Sequence, residues 1–313
     1  MKQFLRLLLL LAPLAACAPV TLESGPSGPV GCAFARVGEA SVTLQRNEPL
    51  VKVTVNDWDA TMVLDTGAQN TLISENAARG MRLRRTGQGS VIHGIGGSQQ
   101  GWVGVARELG FAGARLRDVP LRVANLQMVR PHGQSPDGML GADVLNHFDL
   151  DLDLPNNRIT LYKPRQCPEG GPNWGVPFVS VPIVANEQGR IVIETELDGV
   201  KLATVLDTGA ETTTVSRVSA MRTGRGNAEL DAGPRVSIMG ATDRRITAHR
   251  HRFNTIRIGQ LVARDPVLVV ATLPPAARDA ILGSDFLRAR RVWISSHSGR
   301  VHISLPPQAV AVR

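Results

Sequence analysis

Short runs of apolar and β-branched residues, separated by tight-turn residues, recur along most of the chain. In "VKVTVND", from Val51, apolar and polar positions alternate with the two-residue period of a half-buried strand, and "IVIETELDG", from Ile191, has a similar pattern. Each run leads through a turn into a second strand, "ATMVLDTG" or "LATVLDTG", whose far end carries an aspartate. The pattern predicts an all-β protein with two similar halves.

The similarity of the two halves extends beyond this hairpin. Asp65 and Asp207 each lie in the sequence Val-Leu-Asp-Thr-Gly-Ala, and each is followed, at the same distance along the chain, by the glycine of an apolar Leu-Gly segment, Gly141 or Gly283. Between acid and Leu-Gly segment each half has a glycine-containing hairpin, "SVIHGIGGSQQGWVGV" or "RVSIMGATDRRITAHR". The same elements at the same spacing indicate an internal duplication.

The stretch "KPRQCPEGGPNWGVP" between the halves is rich in Pro and Gly, which resist regular structure and indicate a linker. The predicted divisions are a signal peptide at 1–16, an N-terminal segment at 17–45, a first lobe at 46–164, a linker at 165–177, a second lobe at 178–305 and a tail at 306–313.

The first residues have the features of an export signal. Lys2 and Arg6 precede an apolar run too short to span a bilayer, and small residues follow it up to Cys17. The sequence "LAAC", which ends at Cys17, resembles the lipobox of bacterial lipoproteins, which implies cleavage before Cys17 and lipidation of its thiol. Ala18 follows, where an inner-membrane retention signal is commonly Asp. The resemblance therefore predicts a lipid anchor in the outer membrane, with the protein facing the periplasm.

Cys32 and Cys167 remain once Cys17 is acylated. An even number of cysteines in an exported protein is consistent with a disulfide bond between them. Two free buried thiols are the alternative, because spacing alone does not show that the two Cα atoms are within reach.

The formal net charge of +8 comes with one dense basic stretch, "DRRITAHRHR". We interpret this stretch as the solvated face of a strand, because no nucleic-acid recognition motif surrounds it, and no nucleic-acid partner is predicted. His249 and His251 alternate and therefore share a strand face, but no third ligand with suitable spacing accompanies them. No metal or other cofactor is predicted.

The repeated Asp-Thr-Gly turn has a clear chemical use if its two copies meet. Gly lets two backbones approach closely, and Thr supplies a hydroxyl that can bond across a symmetric interface. Two such turns related by a pseudo-twofold axis place their carboxylates about 3 Å apart, where both cannot be ionised. The pair can hold a water, one carboxylate accepting its proton while the other carboxyl hydrogen-bonds a peptide carbonyl. The repeat thus predicts peptide hydrolysis.

The two Asp-Thr-Gly-Ala turns, each trailed by an apolar-apolar-Gly segment ("MLG", "ILG"), resemble the aspartic proteases and most closely the retroviral type. The resemblance covers roughly residues 46 to 305. It implies two homologous, closed β-barrel-like lobes related by a pseudo-twofold axis, with the active site between them. It also implies an aspartic endopeptidase acting on a polypeptide substrate.

The resemblance further implies the role of each site residue. Asp65 and Asp207 are the catalytic pair, Thr66 and Thr208 lock the two turns together, and Gly67 and Gly209 permit close approach. The remaining site positions are Ala68 and Ala210 at the ends of the motifs, His93, Gly94, Ile95, Gly96 and Gly97 at the tip of the first flap, and Met239 and Gly240 in its counterpart, "MGAT".

The chain departs from known branches of the family in two respects. Both motifs lie in one polypeptide, so we expect a monomer where the retroviral type dimerises. Ala68 and Ala210 stand where pepsin-like enzymes carry Ser or Thr, and a missing hydroxyl donor raises the apparent pKa values of the pair. We therefore expect activity at mildly acidic to neutral pH. Tyr162 lies outside the predicted flap, so a pepsin-like flap tyrosine is absent.

Other interpretations remain open from the sequence. A catalytically inactive peptide-binding or scaffold lipoprotein with the same fold is the principal alternative. A two-carboxylate glycosidase needs acids about 5 Å or more apart in different environments, which matched turns do not provide. Ile95, Trp102 and Met239 are equally consistent with substrate pockets and with core packing.

Overall fold

The computed structural model of the protein describes residues 34–126, 135–163, 171–240 and 245–306. The predictions for the signal peptide, Cys17, Cys32 and Cys167 lie outside the described residues, as do 164–170 of the linker region and 307–313 of the tail. The lipid anchor and the disulfide bond therefore stay predictions.

The alternating patterns of the first half form strands, as the sequence predicts. The described strands are β1 (Arg36–Ser41), β2 (Thr43–Gln45), β3 (Glu48–Val55), β4 (Trp58–Leu64), β5 (Leu72–Ser74), β6 (Arg84–Gly94), β7 (Gly97–Phe111), β8 (Ala114–Ala124), β9 (Gly138–Leu140), β10 (Asp149–Asp153) and β11 (Arg158–Tyr162). The described helices are α1 (Glu75–Gly80) and α2 (Ala142–Leu145), with a 3₁₀ turn at Leu154–Asn156.

The second half repeats this order with more interruptions. Its described strands are β12 (Phe178–Glu187), β13 (Arg190–Leu197), β14 (Val200–Leu206), β15 (Thr214–Ser216), β16 (Arg235–Met239), β17 (Arg245–Arg252), β18 (Thr255–Ile258), β19 (Leu261–Arg264), β20 (Val267–Ala271), β21 (Ala280–Leu282), β22 (Arg291–Ser295) and β23 (Arg300–Ser304). Its described helices are α3 (Arg217–Arg222), α4 (Asn227–Ala232) and α5 (Ser284–Leu287), with a 3₁₀ turn at Pro275–Ala277. Within the described ranges no helix is both long and apolar enough to cross a bilayer.

Equivalent tight turns build the first hairpin of each half. Asn56 and Asp57 connect β3 to β4 with φ angles of 48° and 68°, and Asp198 and Gly199 connect β13 to β14 with φ angles of 47° and 84°. Two successive positive φ angles twist the chain in the sense that antiparallel strands require, and Asn, Asp and Gly adopt them most readily. Local sequence therefore determines these hairpins.

Each half closes into a barrel-like sheet. In the first half the strand order is β2-β3-β4-β9-β5-β8-β7-β6, and a second pairing of β3 with β7 closes the sheet on itself. In the second half the order from β13 is β14-β21-β15-β20-β17-β16, and β18 pairs back onto β13. A break at residues 253 and 254 separates β17 from the closing strand β18, where β7 is continuous. The prediction of an all-β, two-lobed fold is confirmed.

A six-stranded antiparallel sheet joins the lobes, with the order β1-β11-β10-β22-β23-β12 and three strands from each half. At its centre β10 pairs with β22, where Leu150 lies opposite Ile294 and Leu152 opposite Val292, all four buried. Residues 36–45, which the sequence predicts to precede the first lobe, form β1 and β2 and belong to these sheets. The last strands of each half thus leave their own barrel and connect the two lobes.

The largest apolar cluster is continuous across the lobes. It runs from Leu109 and Leu121 in the first barrel through Leu152 to Ile294 in the joining sheet. Because close-packed side chains resist displacement, this shared core holds the two lobes in one arrangement.

Candidate active site

The two candidate aspartates follow equivalent buried strands. β4 pairs in parallel with β9, Val63 lying opposite Met139, and β14 pairs in parallel with β21, Val205 lying opposite Ile281. The backbone N–H of each acid then donates to a leucine carbonyl of the neighbouring strand, at 3.0 and 3.1 Å. The equal spacing from acid to Leu-Gly segment in the sequence is therefore the register of two equivalent parallel strand pairs.

Thr66 and Thr208 bind the two turns to each other. Thr66 Oγ1 donates to the carbonyl of Leu206 at 2.8 Å, and Thr208 Oγ1 donates to the carbonyl of Leu64 at 2.5 Å. Each hydroxyl also accepts the backbone N–H of the other threonine, at 3.1 Å in both cases. Both threonines are buried, so these reciprocal bonds form where water cannot compete for them. The structure brings the two turns together as the resemblance implies.

Gly67 and Gly209 lie against the opposing carboxyl groups. A Cβ atom at Gly67 would stand 2.2 Å from Cγ of Asp207, and one at Gly209 would stand 2.4 Å from Cγ of Asp65. These distances are far below van der Waals contact, so no residue with a side chain fits either position. Here glycine is required by close approach and not by an unusual backbone angle.

Each carboxyl is held by its own turn. Asp65 Oδ1 accepts the backbone N–H groups of Gly67 and Ala68 at 2.9 and 2.8 Å, and Asp207 Oδ1 accepts those of Gly209 and Ala210 at 2.8 and 3.1 Å. A hydrogen bond also links the carboxyl of Asp65 to that of Asp207. The two acids form one unit, which we call the dyad.

The surroundings of the dyad favour retention of a proton. Burial raises the pKa of both Asp65 and Asp207, and the charge of Asp207 raises the pKa of Asp65 further. Because the two carboxyls are hydrogen-bonded and of like charge, ionisation of one opposes ionisation of the other. The dyad can therefore present one carboxylic acid and one carboxylate together.

A second repeated acid supports each turn from below, which the sequence analysis did not identify. Asp143 Oδ1 accepts both the backbone N–H and the hydroxyl of Thr71, at 2.8 and 2.7 Å. Asp285 Oδ1 accepts the same groups of Thr213 at the same distances, 2.8 and 2.7 Å. The signal was present, because each Thr lies at the same offset after its Asp-Thr-Gly aspartate and each acid at the same offset after its Leu-Gly glycine.

Two hairpins cover the dyad from above. The tip of the β6–β7 hairpin turns at Gly96 and Gly97, whose φ angles are 99° and 139°. Gly240, at the end of β16, lies so close to this tip that a Cβ atom there would stand 2.8 Å from the backbone nitrogen of Ile95. The two predicted flaps thus meet over the site; Ala241 and Thr242 of the second lie outside the described residues.

The other flap residues have distinct places. His93 and Gly94 line the cleft with Ile95, and His93 Nδ1 lies 2.8 Å from Ser98 Oγ across the hairpin. Met239 is partly exposed beside Gly240. Trp102 packs against the core with the Arg85 guanidinium over its ring, which favours the core interpretation of this residue.

A cleft of about 840 Å³ lies between the dyad and the flaps. Its lining includes apolar residues of both lobes, among them Leu72, Ile95 and Ile281, and two arginines, Arg122 and Arg190. No sequence pattern indicates either arginine as a site residue, because neither belongs to a motif and their positions depend on how the lobes pack.

No metal-ligand cluster emerges from the described part of the chain: it contains no group of three or more His, Cys, Asp or Glu side chains suited to a metal. His249 and His251 lie beside α4. His249 Nδ1 is 3.9 Å from an Asp231 oxygen, and His251 Nε2 is 3.0 Å from the carbonyl of Leu230.

Comparisons with known proteins agree with this geometry. The family model described as "Aspartyl protease" matches residues 51–144, and the model described as "gag-polyprotein putative aspartyl protease" matches residues 193–289. The fold is similar to the crystal structure of an aspartic proteinase from Irpex lacteus, with a TM-score of 0.55 and 13% identity over 88% of this chain and 98% of that chain. No curated protein sequence matches the chain at a significant level.

Two similar β-barrels that enclose a hydrogen-bonded aspartate pair define the aspartic protease fold. Each half of the chain matches an aspartyl protease family model of its own, and the model for the second half is that of the gag-polyprotein aspartyl protease. The chain has the fold of a retropepsin-like aspartic protease, and both halves of the site lie in one polypeptide.

Proposed function

We propose that the protein is an aspartic endopeptidase, in which Asp65 and Asp207 activate a water that attacks a peptide bond. The observation that carries the proposal is the dyad itself. Asp65 is buried, Asp207 is partly buried, and their hydrogen-bonded carboxyls form the floor of a cleft. A carboxylate and a carboxylic acid at one point supply a general base and a hydrogen-bond donor for the carbonyl oxygen.

The arrangement of cleft and flaps supports a polypeptide substrate. The dyad forms the floor, and the Ile95 and Gly240 tips form a roof that touches across the site. An extended peptide between them can be bound by backbone hydrogen bonds along its length, as a strand is bound by its neighbours. Closure over the peptide also excludes bulk water from the carboxyl pair.

The test is cleavage of a library of unstructured peptides by protein that begins after Cys17, followed by mass spectrometry from about pH 4 to about pH 8. Asp65→Asn and Asp207→Asn should each abolish cleavage, because either change removes the acid–base pair. Asp59→Asn is the matched control, since Asp59 is exposed on β4 and should retain wild-type activity. Peptide binding by the wild type without turnover at any pH would favour the inactive scaffold.

Thermal unfolding separates loss of chemistry from loss of fold. The folded pKa values of both acids are raised above the unfolded value, so ionisation of the pair lowers stability as pH rises from the unfolded towards the folded pKa. Replacing Asp207 by Asn removes the part of this loss of stability that comes from ionising Asp207 beside Asp65. At neutral pH the Tm of Asp207→Asn should equal or exceed that of the wild type, and the difference should shrink at low pH; a markedly lower Tm at neutral pH would contradict this.

For the location, we propose a lipid anchor at Cys17 in the outer membrane, with the two lobes in the periplasm. The support is the apolar run that ends in "LAAC". Cys17→Ser should move the protein from the membrane fraction to the soluble fraction of the envelope, and unchanged membrane retention would refute the anchor.

A further inference from the structure

The duplicated halves differ in charge at one buried position beside the site. Arg190 precedes Asp207 by the same number of positions as Glu48 precedes Asp65, so the two residues occupy equivalent places in the repeat. Both are largely buried, the Arg190 side chain being 11% exposed and Glu48 6%. The repeat therefore has a cation in the second half at the position where the first half has an acid.

Backbone and packing contacts hold Arg190 at the cleft. It begins β13 after a tight turn at Gln188 and Gly189, whose φ angles are 53° and 94°. The carbonyl of Gly189 accepts the side-chain amide of Asn146 from the first half at 2.8 Å, which ties the turn to the opposite lobe. Arg190 NH1 donates to the carbonyl of Ala276 at 2.7 Å.

Arg190 retains a charge that reaches the dyad. Arg190 and Asp207 lie at the same end of the β13–β14 hairpin, each two residues beyond the paired residues Val192 and Val205, and both line the cleft. No described residue of β2 or β3 lines that cleft. The Nε atom of Arg190 is buried without a hydrogen-bond partner in the described part of the chain. The Glu187 carboxylate lies 3.6 Å from the NH2 atom of Arg190 but also pairs with Arg278. One negative charge is therefore shared by two arginines, and the charge of Arg190 is not fully neutralised.

Other charged groups near the dyad are engaged elsewhere. Arg122 of β8 lines the cleft and donates to Ser90 Oγ at 2.7 Å. Its charge also acts on Asp143: burial raises the pKa of Asp143, and the charge of Arg122 lowers that pKa in part. His93 of β6 lies in the flap. Asp285, behind the second turn, is bound by Thr213.

We propose, on the basis of the proposed function, that Arg190 makes the dyad unequal by keeping Asp207 ionised, so that Asp65 carries the shared proton. Arg190 is a positioning residue for that proton and does not itself touch the peptide bond that is cleaved.

The pKa directions agree with this geometry. Burial raises the pKa of Asp207. The hydrogen bond from Asp65, the backbone N–H groups of Gly209 and Ala210 and, to a smaller extent, the charge of Arg190 lower it. Burial and the charge of Asp207 both raise the pKa of Asp65. An arginine stays protonated throughout the working range of pH, so its charge is permanent.

The unequal dyad assigns each proton transfer. The Asp207 carboxylate accepts a proton from water as the water oxygen bonds to the carbonyl carbon, while Asp65 gives its proton to the carbonyl oxygen. Asp207 then passes its proton to the amide nitrogen, the C–N bond breaks, and a hydroxyl of the intermediate returns a proton to Asp65. The products are a carboxylic acid and an amine, and the dyad regains its starting state.

The kinetic test compares pH profiles of kcat/KM for wild type, Arg190→Gln, Arg190→Lys and Arg225→Gln. In Arg190→Gln the missing positive charge should raise the pKa values of the dyad, so both limbs of the kcat/KM profile should move to higher pH by about 0.5–1 unit. Arg190→Lys keeps a positive charge and should restore the wild-type profile. Arg225→Gln is the matched control, because Arg225 is similarly buried at 13% exposure, belongs to the same half and does not line the cleft. An unshifted Arg190→Gln profile, or an equal shift in Arg225→Gln, would overturn the proposal.

A second measurement needs neither activity nor a folded Arg190 variant. The carboxyl ¹³C resonance of Asp207 in Asp65→Asn should titrate at lower pH than that of Asp65 in Asp207→Asn, because only Asp207 lies beside the cation. Equal or reversed pKa values would overturn the inference even in an active protease. If the two variants titrate in the expected order but the wild-type protein cleaves no peptide, the proposed function alone is refuted.

Discussion

Two alanines decide how many donors each carboxyl receives. The backbone N–H groups of Ala68 and Ala210 donate to the Oδ1 atoms of the dyad, but their methyl groups add no hydroxyl donor beside the second oxygens. Burial already raises the pKa of both acids, and a carboxylate with fewer donors is stabilised less in its ionised form. At the scale of single residues, the pair Ala68 and Ala210 therefore favours activity above the strongly acidic range.

We predict that Ala68→Ser and Ala210→Ser move the acidic limb of the kcat/KM profile to lower pH by about half a unit or more, because a new hydroxyl donor stabilises the ionised carboxyl. The measurement is the pH dependence of peptide cleavage. Ala289→Ser, at an exposed position after α5, should leave the profile unchanged. A shift in the alkaline direction in either active-site variant would contradict the donor argument.

At the scale of elements, the two flap hairpins act as one cover. The β6–β7 tip and the end of β16 touch at Ile95 and Gly240, with no space for a methyl group between them. The two hairpins that cover the dyad therefore come from different lobes and meet at their tips. Opening and closing of such hairpins commonly limit the rate at which a covered site binds and releases its ligands.

We predict that Gly240→Ala lowers kcat/KM by about tenfold, chiefly through a higher KM, because its Cβ atom separates the flap tips and weakens closure over the peptide. Steady-state kinetics on one peptide measure this. Gly89→Ala is the matched control in the β6 strand of the first flap, since a Cβ atom there meets no atom within 4 Å. Equal kinetic effects of the two changes would show that the contact at the tips is unimportant.

At the scale of the whole molecule, the joining sheet makes the two lobes one unit. Strands β10 and β11 of the first half and β22 and β23 of the second lie in one sheet, and a shared apolar core continues through it. The pairing that a two-chain retroviral-type protease obtains by association is here present within one polypeptide. The site therefore needs no second copy of the chain.

We predict that specific activity is independent of protein concentration and that the active species sediments as a monomer. The reason is that both Asp-Thr-Gly turns are supplied, and locked together by Thr66 and Thr208, within one chain. Dilution series of the cleavage rate, with sedimentation velocity at the same concentrations, test this. Activity per molecule that falls on dilution, together with a dimer at high concentration, would contradict it.

The sequence by itself determined the strands, the duplication and the identity of the dyad. Alternation of apolar and polar residues specifies strands and their buried faces, and the equal spacing from each acid to its Leu-Gly segment proved to be the register of β4 with β9 and of β14 with β21. The resemblance to the aspartic proteases implied that Thr66 and Thr208 lock the two turns together, and the structure contains their reciprocal hydrogen bonds.

Only the tertiary structure decided which residues outside the motifs reach the site. Arg190 lines the cleft because a hairpin turn of the second half packs against Asn146 of the first, and no local pattern encodes that contact. The joining sheet likewise depends on strands far apart in the chain, Leu152 pairing with Val292. The periodicity of apolar residues determines which face of a strand is buried. The packing of the whole chain determines which element covers that face and which charged residues the element brings to the site.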